Sequence, residues 1–222
     1  MKKFELTTEF ITNALGKKLF RIKALVEFGS VKAGELGGYA EKEENISQDG
    51  NAWVSGDARV YGNAWVSGDA WVHDNAEVSG NAEVYGDTEV SGDAKVSDNA
   101  KVFDNAKVFG NAKVFGNAWV FGNAKVFGNA EVSGDAKVSD NAEVSGDADY
   151  ALVKGFGTEF RCTTFYRDKN KKIMVNCGCF HGDLEAFRKQ VKETRSGKIA
   201  KEYLMIADLM EYHFTSEDSS DE

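Results

Sequence analysis

The sequence predicts a mainly β protein in which a regular stack of short strands is covered at each end by a cap. Valine recurs at every sixth position from Val54 to Val144, with no insertion and no slip. Alanine stands two positions before each of these valines, and Thr88 is the one exception. The segments before and after this array lack the repeat. We therefore expect them to cover the two open ends that a stack of strands presents.

The repeating unit reads [N/D]-A-x-V-z-[G/D], where z is Ser, Phe, Tyr or His. A period of six does not fit the 3.6-residue turn of an α-helix. It does fit a short strand, A-x-V-z, followed by a two-residue turn. Gly, Asn and Asp occupy the turns, and the chain contains no proline. These three residue types tolerate the left-handed backbone that tight corners require.

Comparison of the repeats predicts which side chains are interior. Ala and Val hardly vary, whereas x ranges over Trp, Arg, Glu, Lys and Asp. Constant small apolar residues belong in a narrow packed core, and variable charged residues belong in solvent. Successive strand residues point to opposite faces, so the side chains that directly follow the valines are expected outside the core. Among them are Phe103, Phe109, Phe115, Phe121 and Phe127.

The pattern V-[S/F]-G-N-A-x resembles the hexapeptide repeat of left-handed parallel β-helices, found in trimeric acyltransferases and related carbonic anhydrases. The resemblance implies a triangular prism of about six coils, with three hexapeptides in each 18-residue coil. It also implies a homotrimer. The stretch RIKALVEFGSVKAGELGGYAEKEENISQDGNAWV further resembles the segment that precedes the first coil in hexapeptide-repeat proteins of phages and prophages.

An 18-residue coil predicts which charged residues lie one above another. Opposite charges meet repeatedly at this spacing, as neighbouring strands prefer. The predicted pairs are Glu77 with Lys95, Glu83 with Lys101, Glu89 with Lys107, Lys113 with Glu131, and Lys125 with Glu143.

Four regions follow from these patterns. Residues 1–50 are predicted to form an N-terminal hairpin and cap, turning at Ala14-Leu15-Gly16, and residues 51–150 the repeat array. Residues 151–214 are predicted as an α+β capping domain, and residues 215–222 as a disordered acidic tail.

The capping domain is expected to contain one hairpin and two helices. A two-residue loop at Lys169-Asn170 would place Cys162 opposite Cys177. The first helix would bury Leu184, Phe187 and Val191, ending near Gly197. The second has an apolar stripe formed by Ile199, Tyr203, Ile206 and Met210.

Composition narrows the possible partners and location. A net charge of −9 and a pI near 5.0 argue against direct nucleic-acid binding and against an anionic membrane surface. No apolar run approaches the roughly 18 residues of a membrane span. Three cysteines, an odd number, do not suit a disulfide framework. We expect a cytoplasmic protein, of the host cell if phage-encoded.

Residues 100–128 combine outward aromatic side chains with a local net charge of +3, between acidic repeats of −6 (51–92) and −5 (129–149). A contiguous apolar patch on a protein surface usually marks an interface. The candidate binding residues, here called the aromatic belt, are Trp65, Tyr85, Lys101, Phe103, Lys107, Phe109, Phe115, Trp119, Phe121, Lys125 and Phe127.

Two chemical alternatives remain open. His73 is the one histidine of the repeat, and the resemblance to acyltransferases would make it a general base. The carbonic anhydrases of this fold use three histidine ligands, which a single repeat histidine cannot supply. Cys162, Cys177, Cys179 and His181 are candidate zinc ligands, although C-x-C-x-H is not a usual zinc spacing.

We expect a non-enzymatic homotrimer that uses the aromatic belt for self-assembly and for capture of a small anionic, nucleotide-like ligand or a host protein. No cofactor is expected. In a phage setting, which the resemblance implies, the protein would sequester or block a host component. The alternative is a coenzyme A-dependent acyltransferase.

Overall fold

The computed structural model describes residues 2–215, apart from the side chains of Asp147 and Arg161. The N-terminal strands are β1 (Phe4–Thr12), β2 (Lys18–Ala24) and β3 (Leu36–Ala40). The repeat forms β4 (Trp53–Val54), β5 (Arg59–Val60), β6 (Trp65–Val66), β7 (Trp71–Val72), β8 (Glu77–Val78), β9 (Glu83–Val84), β10 (Glu89–Val90), β11 (Lys95–Val96), β12 (Lys101–Val102), β13 (Lys107–Val108), β14 (Lys113–Val114), β15 (Trp119–Val120), β16 (Lys125–Val126), β17 (Glu131–Val132), β18 (Lys137–Val138) and β19 (Glu143–Val144).

The chain continues into β20 (Tyr150–Phe156), β21 (Arg161–Arg167), β22 (Ile173–Cys177) and β23 (Phe180–Asp183). Two helices follow, α1 (Leu184–Thr194) and α2 (Gly197–Thr215). The predicted tail begins at residue 215, but Thr215 is the last residue of α2, and residues 216–222 lie outside the described residues.

The repeat strands form three parallel sheets, because each strand pairs with the strand three positions further along the chain. Sheet 1 contains β5, β8, β11, β14 and β17; sheet 2 contains β6, β9, β12, β15 and β18; sheet 3 contains β4, β7, β10, β13, β16 and β19. Val90, for example, pairs with Val108. The repeat is therefore a parallel β-helix of about six coils, each of 18 residues, as the resemblance to hexapeptide-repeat proteins implies.

The interior of the β-helix is a column of valine and alanine. The repeat valines from Val54 to Val144 are fully buried, and so are almost all of the repeat alanines. Thr88, the exception in the alanine column, is also buried, and its hydroxyl donates to the backbone oxygen of Tyr85. Removing each valine from water contributes on the order of 2 kcal/mol, so the repeat itself stabilises the array.

Residues with a left-handed backbone conformation form the corners between the sheets. Most are glycines, but Asp74, Asp98, Asp104 and Asp140 also have positive φ angles near 60°. The carboxylate of Asp104 accepts a hydrogen bond from the backbone N–H of Gly122 at 3.2 Å, one coil further on. Asp74 and Asp98 accept equivalent bonds one coil further on, which helps aspartate replace glycine at these three corners.

One corner carries a ladder of side-chain amides. The ladder runs through Asn63, Asn81, Asn99 and Asn117 to Asp135, with donor–acceptor distances of 3.0 to 3.2 Å. Lys154 of β20 donates to the carboxylate of Asp135 at 2.7 Å. Each amide both donates and accepts, so the ladder joins successive coils at the exposed corner.

The N-terminal cap covers the first coil. Strands β1 and β2 form an antiparallel hairpin, and β3 pairs in parallel with β5, which extends sheet 1. Trp53, predicted to be outward, is only 3% exposed because Phe4 and Phe28 pack edge-on against it. The ammonium group of Lys3 is buried nearby and donates to the backbone oxygen of Ala52 at 2.9 Å.

The C-terminal segment covers the other end. Strands β20 to β23 form one antiparallel sheet in chain order. One side of this sheet packs on α1 and α2, where Leu184, Phe187 and Val191 are buried as predicted. The other side presents Tyr166, which is fully buried against the core of the β-helix.

The register of the C-terminal hairpin differs from the predicted one. Arg167 pairs with Ile173, and Thr163, not Cys162, lies opposite Cys177. The turn contains one residue more than predicted, and Lys171 adopts a positive φ of 62° within it. A slip of one residue moves a side chain to the other face of a strand. Cys162 therefore lies on the face away from Cys177.

Candidate functional site

The belt residues of sheet 2 form a column of stacked rings. Tyr85 and Phe103 are 5.1 Å apart between ring centroids with an interplanar angle of 5°, and Phe103 and Phe121 are 5.0 Å apart at 2°. We call these three residues the long aromatic column. They stack because parallel strands in an 18-residue register place equivalent side chains one above another.

Sheet 3 carries a second, shorter column. The rings of Phe109 and Phe127 are 5.1 Å apart and nearly parallel. We call this pair the short aromatic column. Phe115 lies on sheet 1, without an aromatic neighbour one coil above or below in the sequence. The belt is thus divided over the three faces of the prism, with two columns on neighbouring faces.

The belt phenylalanines are half-buried, whereas two of its tryptophans are more open to solvent. Stacking covers part of the ring of each phenylalanine in the two columns. Trp65 and Trp119 have exposed fractions of 44% and 37%. Trp119 packs edge-on against Phe103 of the long aromatic column. Sheet 2 therefore presents the largest continuous aromatic surface of the belt.

The belt lysines are each paired with a glutamate one coil away. Lys101 lies 2.8 Å from Glu83, Lys107 2.5 Å from Glu89, and Lys125 3.1 Å from Glu143. The two remaining predicted pairs, of Glu77 with Lys95 and of Lys113 with Glu131, also form. The hydrogen bond that Lys101 donates to Glu83 raises the pKa of Lys101, and the bond that Lys107 donates to Glu89 lowers the pKa of Glu89. The positive charge counted over residues 100–128 is therefore largely compensated by glutamates of the flanking coils.

Lys137 lies on the same face as the long aromatic column but is not among the residues that the sequence pattern indicates. Its ammonium group lies 4.6 Å from the ring centroid of Trp119, one coil above it in sheet 2. Within the described chain, no carboxylate pairs with it. The 18-residue spacing between Trp119 and Lys137 was the available signal, but Lys137 lies outside the stretch that the charge count singled out.

His73, the candidate general base, lies between two carboxylates. Its Nδ1 is 3.3 Å from Asp74 and its Nε2 is 3.3 Å from Glu89, and its ring packs against Trp71. A general base needs one nitrogen directed at a substrate. Both nitrogens face carboxylates, so neither is directed at an open site where a substrate could bind.

The candidate zinc ligands are not brought together. Cys162 and Cys177 lie on opposite faces of the C-terminal sheet because of the hairpin register. His181 contacts Asp140 at 2.6 Å and the hydroxyl of Tyr166 at 3.3 Å. Within residues 2–215, no group of three or more histidine, cysteine, aspartate or glutamate side chains has a geometry that could hold a metal ion.

Comparison with known proteins supports the repeat architecture. The family described as YdcK Beta solenoid repeat matches residues 58–74, which is roughly one coil of the array. No curated protein matches the chain. Among the described residues, neither helix is long and apolar enough to cross a membrane. The match and the three parallel sheets together identify a β-helix repeat protein.

Proposed function

We propose that this chain is a non-enzymatic binding protein that assembles as a homotrimer through the aromatic belt and captures a small anionic, nucleotide-like ligand or a protein partner. The observation that carries the proposal is the pair of aromatic columns. Phe103 and Phe109 directly follow two consecutive strands of one coil, and Phe121 and Phe127 directly follow the corresponding strands of the next. The two columns therefore lie at the same height on neighbouring faces.

This arrangement suits copies related by rotation about an axis parallel to the β-helix. Under such symmetry every residue keeps its height, so the columns of one copy meet those of the next without an offset. A continuous apolar patch on otherwise charged faces supports burial in an interface. Three copies, rather than another number, follow from the resemblance to trimeric hexapeptide-repeat proteins.

The proposed mode of action is capture. Grooves beside a trimer interface would be lined by aromatic rings, which stack on planar ligands. In a phage setting, which rests on the resemblance alone, sequestering or blocking a host component would be the biological role.

Sedimentation velocity of the purified chain tests the assembly. We expect a species of three times the chain mass, and monomers for the double variant Phe103→Ser with Phe121→Ser. Phe115→Ser removes one phenylalanine outside both columns and should leave the trimer intact. A monomeric wild-type protein, or a double variant that remains trimeric, would refute the proposal.

A further inference from the structure

An open cleft lies where the last coil of the β-helix meets the C-terminal sheet. Its volume is about 320 Å³, and it is lined by Asp135, Lys137, Lys154, Phe160, Cys162 and Thr164, together with Asn176 and Gly178. Clefts of several hundred Å³ hold small molecules in many proteins. None of these residues belongs to the aromatic belt, but Lys137 joins the cleft to Trp119 at the end of sheet 2.

The charge of the cleft is positive. Lys154 and Asp135 compensate each other, since they form an ion pair at 2.7 Å, and this pair lowers the pKa of Asp135. Lys137 adds a charge that no carboxylate of the described chain balances. It differs from the other repeat lysines because Trp119, not a glutamate, lies one coil before it, and because β18 is the last strand of sheet 2, so no further coil supplies a glutamate.

One wall of the cleft is apolar and exposed. Phe160 has an exposed fraction of 64% and a positive φ of 48°, a conformation that non-glycine residues seldom adopt. Burial raises the pKa of the Cys162 thiol, so this side chain stays neutral and behaves as a small apolar group at neutral pH. A flat apolar ligand can therefore contact Phe160 and Cys162.

Hydrogen bonds fix the floor of the cleft. The backbone N–H of Lys137 donates to the hydroxyl of Thr164 at 3.0 Å, and the amide of Asn176 donates to the backbone oxygen of Lys137 at 2.9 Å. These bonds hold the β18 backbone and the C-terminal sheet together across the floor of the cleft. The cleft is thus formed within one chain and is preorganised before a ligand arrives.

We propose that this cleft binds a small aromatic anion, with its acidic group at Lys137 and its ring on the wall formed by Phe160 and Cys162. A charge-assisted hydrogen bond to the ammonium group would supply orientation, and ring contact would supply burial. The proposal rests on the proposed function in one respect, that the chain binds a ligand instead of transforming it. The cleft is a site separate from the grooves beside the proposed trimer interface, where the belt lysines are already paired.

Two fluorescent probes test the role of charge. 1-Anilinonaphthalene-8-sulfonate is an aromatic anion, and N-phenyl-1-naphthylamine has the same ring system without the sulfonate. We expect Lys137→Gln to weaken binding of the sulfonate about tenfold and to leave binding of the neutral amine unchanged. Lys113→Gln, a repeat lysine on sheet 1, is the matched control and should change neither affinity. Phe160→Ser should weaken both.

The proposal is overturned if the sulfonate does not bind the wild-type protein, or if Lys137→Gln leaves its affinity unchanged. Equal losses in Lys137→Gln and Lys113→Gln would also overturn it. Thermal melts of each variant show whether it is folded. The trimer proposal fails separately, because a monomeric Phe103→Ser, Phe121→Ser variant still contains the cleft and should still bind the sulfonate.

Discussion

The hydroxyl of Tyr166, in the C-terminal sheet, lies 3.0 Å from the hydroxyl of Ser139, in the last coil of the β-helix. Tyr166 is fully buried, Ser139 is 2% exposed, and burial raises the pKa of Tyr166 to about 12. The amide of Asn176 donates to Ser139 at 3.1 Å in the same network. The C-terminal sheet is therefore joined to the β-helix by a buried polar contact as well as by apolar packing.

Removal of the Tyr166 hydroxyl tests how much the buried polar contact stabilises the attachment of the C-terminal sheet to the β-helix. We expect Tyr166→Phe to lower the free energy of unfolding by about 1 to 2 kcal/mol, because Ser139 and Asn176 keep buried polar groups that lose a partner. Tyr212→Phe, at a position 73% exposed, is the control and should have little effect. Denaturant unfolding monitored by circular dichroism measures both. Equal stability of Tyr166→Phe and wild type would contradict the assigned role.

Charge reversal at Glu83 and Lys101 tests the register in which β9 pairs with β12. Glu83→Lys places two lysines in adjacent paired positions, and Lys101→Glu places two glutamates there. Each single variant should be less stable than wild type by a few tenths to 1 kcal/mol, because the pair is partly exposed. The double variant restores opposite charges and should recover most of the loss. Strictly additive single effects in a double-mutant cycle would argue against the pairing.

Lys3 should make the stability of the protein depend on pH in the alkaline range. Burial lowers its pKa from 10.5 to about 8, against the opposing charges of Asp49 and Asp69. Between these values the unfolded chain binds a proton that the folded chain has released, so stability rises as pH increases through this window. Above both pKa values, the resulting increase in the free energy of unfolding is on the order of 3 kcal/mol.

Comparison with Lys3→Met isolates this contribution, because methionine does not titrate. The stability of wild type relative to the variant should increase between pH 8 and pH 10.5, as measured by denaturant unfolding at several pH values. A difference that stays constant over this range would show that Lys3 is not buried as a charged group.

An acetyl-coenzyme A turnover assay of the wild type and of a His73 variant tests the acyltransferase alternative. We expect no turnover of acetyl-coenzyme A with a panel of amine and hydroxyl acceptors, since both imidazole nitrogens of His73 face carboxylates. His73→Ala should show the same absence of turnover as wild type. Thiol release by the wild type that disappears in His73→Ala would instead establish the enzyme.

Much of the β-helix was predictable because its determinants are local. The period of six fixes the alternation of buried and exposed residues, and an 18-residue coil then fixes every neighbour in the sheets. The five Glu–Lys pairs and the stacking of Phe103 on Phe121 follow from that spacing alone. The burial of Trp53 does not, because it depends on Phe4 and Phe28 of the cap.

The C-terminal cleft was not predictable for a similar reason. Strand β20 follows directly after the repeat and brings Lys154 to Asp135, a contact that no spacing in the sequence indicates. Lys137 differs from the other repeat lysines in two ways, since Trp119 replaces a glutamate one coil before it and it lies on the last strand of its sheet. The absence of a carboxylate partner within the described chain therefore reflects both the residue at 119 and the end of the stack.

The sequence by itself determined the repeat and the interior of valine and alanine, because each depends on a fixed spacing along the chain. The vertical order of the outward side chains also needs three repeats per coil, which the resemblance to hexapeptide-repeat proteins implied and the three parallel sheets show. Only the tertiary structure decided the hairpin register that separates Cys162 from Cys177. The alternating pattern of a strand does not indicate whether its turn contains two residues or three. Packing of one face on the helices and of Tyr166 on the last coil selects the register, since only one alignment buries both sets of side chains.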